Sequence, residues 1–307
     1  MTHRKEISCG ICHSPNTVNF NYLRLNSPSL TRNIAYFIPI RILTFFGKLS
    51  KAIPKKINPV ILNRRYFDRQ LVYCLDCSSG ACYPYFEERE LSAYYKSFYW
   101  ANRDVVDGKH LPNEDRPNIN QLNINSDRLL WISRYVNDFS SLIDYGAGDC
   151  AAAYLYSKEI SAKDVHVVDP SIRAHQLSLK YNLRYCQNLS DAPIVEFLYS
   201  AHSIEHVHDL IEIMREMILH VVEGGHIFIE TPNVADVNLA RDLVLTPHTF
   251  TLSEATFRNF SSRFPVEIIA MEACGPIWNV GSNAAGAKHR TDLRVLLKKT
   301  ATRIAET

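Results

Sequence analysis

Negative charge is missing from a long stretch near the N-terminus of this 307-residue chain. No aspartate or glutamate lies between Glu6 and Asp68, although the whole chain carries 32 acidic and 34 basic residues and a formal net charge of +2. The same stretch contains nine lysine and arginine residues. This asymmetry predicts that the N-terminal part contacts something anionic, whereas the near-neutral total gives no reason to expect a specific nucleic-acid partner.

Long apolar runs and low-complexity stretches are also lacking. No run approaches the roughly 18 apolar residues that a membrane span needs, so we expect no transmembrane helix. The first residues are not followed by an apolar core and a cleavage site, so we expect no signal peptide and take the cytoplasm as the compartment. With 11 glycines, 14 prolines and a hydrophobic fraction of 46%, the composition is that of a globular protein, and the length suits about two domains.

Large apolar residues are concentrated in the same acid-free stretch, which we call the basic-apolar insertion (about residues 24–65). Its most apolar part, residues 34–46, contains Pro39 and Arg41 and is too short to cross a bilayer. The segment from Ile34 to Arg65 is typical of a helical insertion that packs on its own domain, or of an element that lies peripherally on an anionic inner membrane. A lid over a substrate pocket and a site for an anionic ligand are further alternatives.

Two C-x-x-C pairs bracket the insertion, Cys9 with Cys12 and Cys74 with Cys77. Two-residue spacing lets both thiolates of a pair reach one ion, and two such pairs predict a structural zinc site of four cysteines. Four buried thiols or a redox pair are the alternatives, but no βαβ pattern of the redox type surrounds either pair. Disulfides are not expected in a reducing compartment. The other candidates are spare ligands or core residues: His13, Cys82, Cys150, Cys186 and Cys274.

The second half of the chain alternates strand-like and helix-like segments. A short helix is predicted at residues 87–99 and a connecting loop at 104–126, and a further helix includes Leu129. The strands predicted after it are residues 141–145, 165–168, 183–186, 195–200 and 226–230, and the helices are 150–159, 171–181 and 209–222. This alternation predicts βαβ units and a parallel sheet. Two final strands, 266–271 and 292–297, have no helix between them and should pair antiparallel.

A glycine turn follows the first strand of this second half. Gly146-x-Gly148-x-x-Ala151 matches the dinucleotide fingerprint, and Asp169 ends the next strand about 20 residues on, where a ribose hydroxyl would be bound. A nicotinamide enzyme is therefore one alternative. Asp144 argues against it, because a carboxylate beside the turn would repel a pyrophosphate and suits a cationic group instead.

The run Asp144-x-Gly146-x-Gly148 resembles motif I of the class I S-adenosylmethionine-dependent methyltransferases. The resemblance implies that Asp144 lies near the methionine ammonium, that the glycines pack under the cofactor, and that Asp169 binds both ribose hydroxyls. Asn188 and Leu189 stand where the family contacts adenine, usually through an acid, so the sequence departs from the family there. The implied cofactor contacts are Asp144, Tyr145, Gly146, Ala147, Gly148, Asp169, Pro170, Asn188, Leu189 and Ser200.

Further motifs follow in the order of the same family. Residues 203–207 resemble its Glu-His motif, residues 223–233 its late Gly-Gly turn and strand, and residues 247–251 a segment that borders the acceptor pocket. The second cysteine pair and the aromatic residues after it resemble the zinc-ribbon lead-in of methyltransferases of sugar and surface-glycan biosynthesis, among them deoxysugar C-methyltransferases. The resemblance covers most of the chain except the basic-apolar insertion.

An acceptor that is methylated on oxygen or carbon must lose a proton, and histidine is the natural base near neutral pH. His202, His206 and His248 lie near the carboxyl ends of predicted strands, where α/β sheets bind ligands. His206 is the first candidate, because its position in the family faces the cofactor; a structural role in holding the loop is the alternative. His248 is the second candidate for base or substrate contact, and His202 is the third.

The sequence therefore predicts an α/β fold: a Rossmann-like methyltransferase sheet, mostly parallel with an antiparallel last strand, preceded by a small zinc-ribbon module. The predicted boundaries are residues 1–100 for the zinc-ribbon module with its insertion, 101–125 for a linker and 126–307 for the methyltransferase domain. The resemblance implies methylation, on oxygen or carbon, of a sugar nucleotide or surface-glycan intermediate, with S-adenosylmethionine bound, and the two cysteine pairs predict structural zinc. A small-molecule O-methyltransferase outside glycan pathways and a non-catalytic adaptor are the alternatives.

Overall fold

The computed structural model describes residues 7–21, 70–95, 116–159, 162–234, 248–274 and 292–301. The basic-apolar insertion and residues 101–115 of the predicted linker lie outside these described residues. The predictions for the insertion, as a packed helix, a membrane-surface element or a lid, therefore stay predictions.

The first of two sheets is small and antiparallel, and its strands come from distant parts of the chain. Three of its strands surround the cysteine pairs: β1 (Thr17–Asn21), β2 (Gln70–Cys74) and β3 (Gly80–Tyr83). The fourth, β9 (Phe250–Thr251), comes from the distant second half and pairs with β3. The order is β1-β2-β3-β9. We call the two C-x-x-C pairs together with β1, β2 and β3 the cysteine module, and this module therefore shares its sheet with the second half of the chain.

The second sheet has seven strands in the order β10-β11-β8-β7-β4-β5-β6. These strands are β4 (Ser141–Tyr145), β5 (Asp164–Val168), β6 (Arg184–Cys186), β7 (Val195–Ala201), β8 (Val221–Pro232), β10 (Val266–Cys274) and β11 (Asp292–Lys299). All neighbours from β6 to β8 pair in parallel, whereas β11 runs antiparallel to both β8 and β10. The predicted Rossmann-like sheet with a late antiparallel strand is therefore confirmed.

Helices connect the parallel strands and cover both faces. The helices within the described residues are α1 (Glu88–Tyr94), α2 (Ile119–Ile132), α3 (Ala151–Glu159), α4 (Ile172–Lys180), α5 (Leu210–Leu219) and α6 (Glu254–Arg263). Several begin at side chains that satisfy the free N–H groups of the first turn. Ser171 accepts from Ala174 N–H, Asp209 from Glu212 N–H, and Ser253 forms a capping box with Thr256.

Helix α2 begins well inside the segment predicted as a loop at residues 104–126, so that prediction is wrong from Ile119 onward. Asparagines hid its periodicity, because composition makes them look like loop residues. In the structure the buried positions of α2 include Asn125 and Arg128 beside Ile124, Trp131 and Ile132. Two of the five inward positions are therefore polar, and an apolar pattern alone does not reveal them.

The predicted helix at residues 209–222 is too long at its C-terminal end. Helix α5 ends at Leu219, and β8 begins at Val221, five residues before the predicted strand. The strand runs through the glycine pair, where Gly224 has φ +77° and a Cβ on Gly225 would lie 2.7 Å from the carbonyl oxygen of Glu196. Glycine is needed here for close approach to β7, so it does not end the strand.

Alternating residues of the central strands send apolar side chains to opposite faces. Leu142 of β4 packs with α2 and α3 residues such as Trp131 and Tyr156, whereas the next residue, Ile143, packs with Met214 and Met217 of α5. The apolar cluster that contains Ile143 also contains Cys9, Cys74 and Cys77, so the cysteine module joins the core on the α5 face. Within the described ranges no helix combines the length and apolar character needed to span a membrane.

Candidate functional site

The glycine turn after β4 is held tightly on two sides. Gly146 and Gly148 have φ values of +73° and +55°, the left-handed region that favours glycine. Gly146 N–H donates to Val168 O (2.8 Å), and Ser203 Oγ lies 3.2 Å from Gly146 O. A Cβ on Gly146 would lie 2.1 Å from Ser203 Oγ. The turn therefore presents bare backbone at the carboxyl end of the sheet and contacts the loop after β7.

Asp144 lies at the end of β4 beneath this turn and is only 2% exposed. One of its oxygens accepts a hydrogen bond from Ala153 N–H (3.1 Å), and its carboxylate has no second hydrogen bond within the described residues. Burial, opposed by this bond and reinforced by the charges of Asp149 and Asp169, raises the pKa of Asp144 to about 7. The turn thus collects negative charge and suits a cationic ligand group.

Asp169, directly after β5, fixes the glycine turn from the neighbouring strand. Its two oxygens accept hydrogen bonds from Gly148 N–H (2.9 Å) and Ser171 N–H (2.8 Å). Burial raises the pKa of this carboxyl, while those hydrogen bonds oppose the rise. Each carboxylate oxygen can accept a further bond, so ribose binding stays compatible with this arrangement.

The other predicted cofactor residues lie around the same edge of the sheet. Tyr145, Ala147 and Pro170 are half-buried beside the two strand ends. Leu189 is buried and Asn188 is exposed in a short turn after β6. Ser200 is buried in β7, and its hydroxyl has no hydrogen-bond partner within the described residues. No measurement tests these contacts, so they stay predictions.

Asn188, a predicted adenine contact, lies beside an acidic residue. The amide of Asn188 donates to the carboxylate of Asp191 (3.1 Å) across the short turn Leu189–Asp191.

Two of the three candidate histidines meet a glutamate after β7. Glu205 and His206 belong to the turn Ile204–His206, and His248 lies directly before the segment that leads into β9. The rings of His206 and His248 are 4.7 Å apart, and His206 Nε2 lies 3.8 Å from Glu205 Oε1. Tyr95 packs edge-on against His206, with ring centroids 5.9 Å apart. We call Glu205, His206 and His248 the histidine cluster.

His202 has a different environment, because it is enclosed by three carboxylates. Its ring nitrogens lie 3.6 Å from Glu205 Oε1, 3.2 Å from Glu230 Oε1 and 3.5 Å from Asp292 Oδ1. Burial alone would lower its pKa, but the adjacent carboxylates of Glu205 and Glu230 raise the pKa to about 9. At neutral pH His202 therefore already carries the proton that a base would have to accept, which argues for a positioning role.

The same carboxylates are held in the charged state. Burial would raise the pKa of Glu205, but the adjacent His202 and the nearby His206 and His248 lower the pKa to about 2. The pKa of Glu230 is also lowered, against burial, by the charge of Arg128 and by His202. Both glutamates therefore stay ionised while fully buried.

Glu230 is the centre of a buried ionic network that the sequence analysis missed. Arg128 of α2 donates to Glu230 Oε1 and Arg294 of β11 to Oε2, each through Nε at 2.8 Å. Arg128 also donates to Asn125 Oδ1 (3.0 Å), which accepts from the Tyr199 hydroxyl (2.8 Å). The available signal was charge inside apolar strands, because a buried charge has to be paired.

The four cysteines of the two C-x-x-C pairs do converge. Cys9 Sγ lies 3.7 Å from Cys77 Sγ, Cys12 Sγ lies 3.5 Å from Cys74 Sγ, and all four sulfurs lie within 4.8 Å of one another. The backbone N–H groups of Ile11 and Cys12 point at Cys9 Sγ at 3.3 and 3.5 Å. This donor set fits a tetrahedral Zn²⁺, whose charge four adjacent thiolates require.

A family comparison decides what this sheet is. Residues 117–267 match the family model described as a methyltransferase domain. This part of the chain is a methyltransferase domain. The match begins two residues before α2 and so includes part of the stretch predicted as a linker. No curated protein matches the sequence.

Several solved structures are distantly similar to the chain. The plantazolicin methyltransferase BpumL, solved with SAH, is 15% identical with a TM-score of 0.47, over 70% of this chain and 95% of its own. A putative S-adenosylmethionine-dependent methyltransferase from Listeria monocytogenes is 12% identical with a TM-score of 0.46, over 57% and 99%. One from Mesorhizobium loti is 16% identical with a TM-score of 0.47, over 58% and 100%. The fold assignment rests on the strand order and the family match.

The cysteine module contacts the methyltransferase domain through the two loops that carry its C-x-x-C pairs. The hydroxyls of Ser253 and Thr256, at the start of α6, lie 3.2 and 3.1 Å from Cys77 O. Arg263, at the end of the same helix, donates to Ile11 O. Both cysteine loops are therefore anchored to one helix of the methyltransferase domain.

Proposed function

We propose that this methyltransferase transfers a methyl group from S-adenosylmethionine to a sugar nucleotide or surface-glycan intermediate, on oxygen or carbon. The observation that carries the proposal is the contact between Ser203 and Gly146, which links the glycine turn to the loop that bears Glu205 and His206. A cofactor turn and an acid–base cluster therefore lie side by side at one end of the sheet. The choice of a sugar acceptor rests on the resemblance of the cysteine module and the aromatic residues that follow it.

The residues at the glycine turn fit the cofactor. Asp144 offers a buried carboxylate for the methionine ammonium, Asp169 offers acceptors for the ribose hydroxyls, and Ser200 offers a buried hydroxyl without a partner in the described residues. When bound, S-adenosylmethionine supplies a methyl group on a sulfonium centre, which leaves as a neutral thioether. Gly146 and Gly148 adopt the left-handed backbone conformation of the turn, and the lack of a Cβ on Gly146 leaves room for Ser203.

The histidine cluster handles the acceptor. An acceptor hydroxyl placed beside His206 gives its proton to the imidazole, and the freed electron pair of the oxygen forms the new bond to the methyl carbon. The ionised Glu205 stabilises the imidazolium that results, since its carboxylate lies 3.8 Å from His206 Nε2. The ring of His248 lies against the ring of His206 and provides a second contact for the acceptor.

The four cysteines hold a structural zinc ion in this proposal. Four thiolates fill a tetrahedral shell and leave no open position, so the ion has no part in methyl transfer. Its role is to hold the two cysteine loops together where they dock onto α6. The thiol spacing and the N–H groups directed at Cys9 Sγ support this assignment.

The basic-apolar insertion lies outside the described residues, and its role is part of the proposal. Nine basic residues without an acid favour peripheral contact between the stretch from Ile34 to Arg65 and an anionic membrane. This contact would place the enzyme beside membrane-bound glycan intermediates. A lid over the acceptor pocket is the competing explanation.

Incubation with labelled S-adenosylmethionine and a panel of acceptors tests the activity. Sugar nucleotides, lipid-linked glycans and unrelated small phenols and acids are offered, and products are identified by mass spectrometry. We expect methylated sugar products, reduced at least a hundredfold in His206→Gln and unchanged in Glu196→Gln, whose exposed side chain lies at the amino end of β7, away from the glycine turn. Methylation of the non-sugar acceptors alone would assign the enzyme outside glycan pathways. Cofactor binding without any methylation would favour an adaptor.

A further inference from the structure

The segment between His248 and Ser253 is clamped between the cysteine module and the loop that carries the histidine cluster. Thr249 is its central residue and is 4% exposed. Its N–H donates to Glu205 O (2.8 Å), and its hydroxyl lies 2.9 Å from Glu205 O and 2.6 Å from Val207 O. One residue thus grips the backbone on both sides of His206.

The other side of the same segment belongs to the cysteine module. Thr249 O accepts a hydrogen bond from Cys82 N–H (2.9 Å), and the Cys82 thiol lies 3.4 Å from His248 O. The next two residues form β9, which pairs with Gly80 and Ala81 of β3. β3 follows Cys77 by only a few residues, so the cysteine cluster and His248 are connected by a short run of backbone hydrogen bonds.

We propose that the cysteine module positions the histidine cluster, and that Thr249 is the positioning residue that transmits this. The proposal rests on the proposed function, since it assigns the module a part in acceptor binding. Within the described residues the hydrogen bonds of Thr249 join it to Glu205, Val207 and Cys82, and none joins it to the glycine turn or Asp169. Its effect should therefore fall on the acceptor and not on the cofactor.

The hydroxyl of Thr249 is the element that can be removed without a change of shape. Valine keeps the volume and the backbone bonds to Glu205 and Cys82 but leaves Val207 O without this donor. The loop after Glu205 then loses one of its fixed points on the C-terminal side of His206. A displacement of about 1 Å at a reacting group lowers rates by about a hundredfold.

The test compares Thr249→Val with Thr249→Ser, which keeps the hydroxyl. The control is Ser262→Ala, since Ser262 is an exposed residue of α6 whose hydroxyl donates to Asn259 O. S-adenosylmethionine affinity is measured by calorimetry, and acceptor KM and kcat by product formation. We expect kcat/KM for the acceptor to fall at least tenfold in the valine variant, with cofactor affinity within twofold. The serine variant should recover to within threefold of the unmodified protein. A parallel loss of both affinities would make Thr249 merely structural and overturn the proposal.

A second readout separates this proposal from the choice of acceptor. The imidazole resonances of His206 and His248 are followed by NMR in the full chain, with His206→Gln used for assignment. Thr249→Val, and removal of metal by a chelator, should each move both resonances while the cofactor still binds. If these resonances move although no sugar acceptor is methylated, the positioning role stands and the proposed acceptor is wrong. If neither treatment moves them, the positioning role is refuted whatever the acceptor.

Discussion

Asp144 provides the most sensitive test of how the glycine turn handles charge. The change is Asp144→Asn, which keeps an oxygen that can accept the Ala153 N–H bond but removes the negative charge. The neighbouring Asp149→Asn is a matched control, because Asp149 lies in the same turn and is half-buried. Both variants remove one carboxylate, but only the first removes the fully buried one.

The pKa of Asp144 sets the size of the effect. Burial raises it from 3.8 to about 7, a rise of about 3 units. At about 1.4 kcal/mol per unit, the ionised carboxylate lowers the free energy of unfolding by at most about 4 kcal/mol. Because the folded pKa lies above the unfolded one, this loss develops as the pH rises from about 4 to about 7. Asp144→Asn should therefore be more stable than the unmodified protein at pH 8 and equally stable near pH 4.

Cofactor binding should show the opposite preference. A bound ammonium favours the ionised carboxylate, so binding at pH 6 should release about one proton from the unmodified protein. Calorimetry in two buffers of different ionisation enthalpy measures that proton. Asp144→Asn should release none and bind at least about fivefold more weakly, the loss of roughly 1 kcal/mol from a charged hydrogen bond. Proton release that persists in Asp144→Asn, or is absent from the unmodified protein, would refute this account of the turn.

Four further predictions follow from the structure and the sequence. Glu230→Gln should lower the free energy of unfolding by about 3–5 kcal/mol in urea titrations, since it removes the carboxylate that pairs with buried Arg128 and leaves buried Arg294 only the exposed Asp127. Glu196→Gln should change it by less than about 1 kcal/mol. The stability that His202 contributes should be complete below pH 6.5 and lost as the pH rises through about 9, so thermal unfolding of His202→Gln should lack that slope. Elemental analysis should find about one zinc per chain, and a Cys74→Ser protein with full metal content and stability would contradict the site. Neutralising the insertion lysines, Lys48, Lys51, Lys55 and Lys56, should weaken binding to anionic vesicles at low salt and leave cofactor affinity intact; a raised acceptor KM without lipid would identify a lid instead.

The fold was predictable because the strands that form its centre are short, apolar and separated by helical segments. Consecutive residues such as Leu142 and Ile143 are both buried, because the strand is covered on both faces of the sheet. Such a strand is a continuous apolar run that can be identified in the sequence. The glycine turn was predictable for a similar reason, since the backbone there requires φ values that favour glycine. What failed was α2, whose inward face carries Asn125 and Arg128. No rule that sorts residues by polarity places those two in a core.

The candidate site was predictable residue by residue but not as an arrangement. Sequence spacing indicated that His202, His206 and His248 lie near strand ends. It could not show that three carboxylates enclose His202, or that His206 and His248 contact each other. That difference depends on Glu230 and Asp292, which are brought together only by the antiparallel pairing of β8 with β11. The pairing also delivers Arg294 to Glu230, and α2 delivers Arg128 from the other side. The raised pKa of His202 is therefore a property of the sheet and not of any motif.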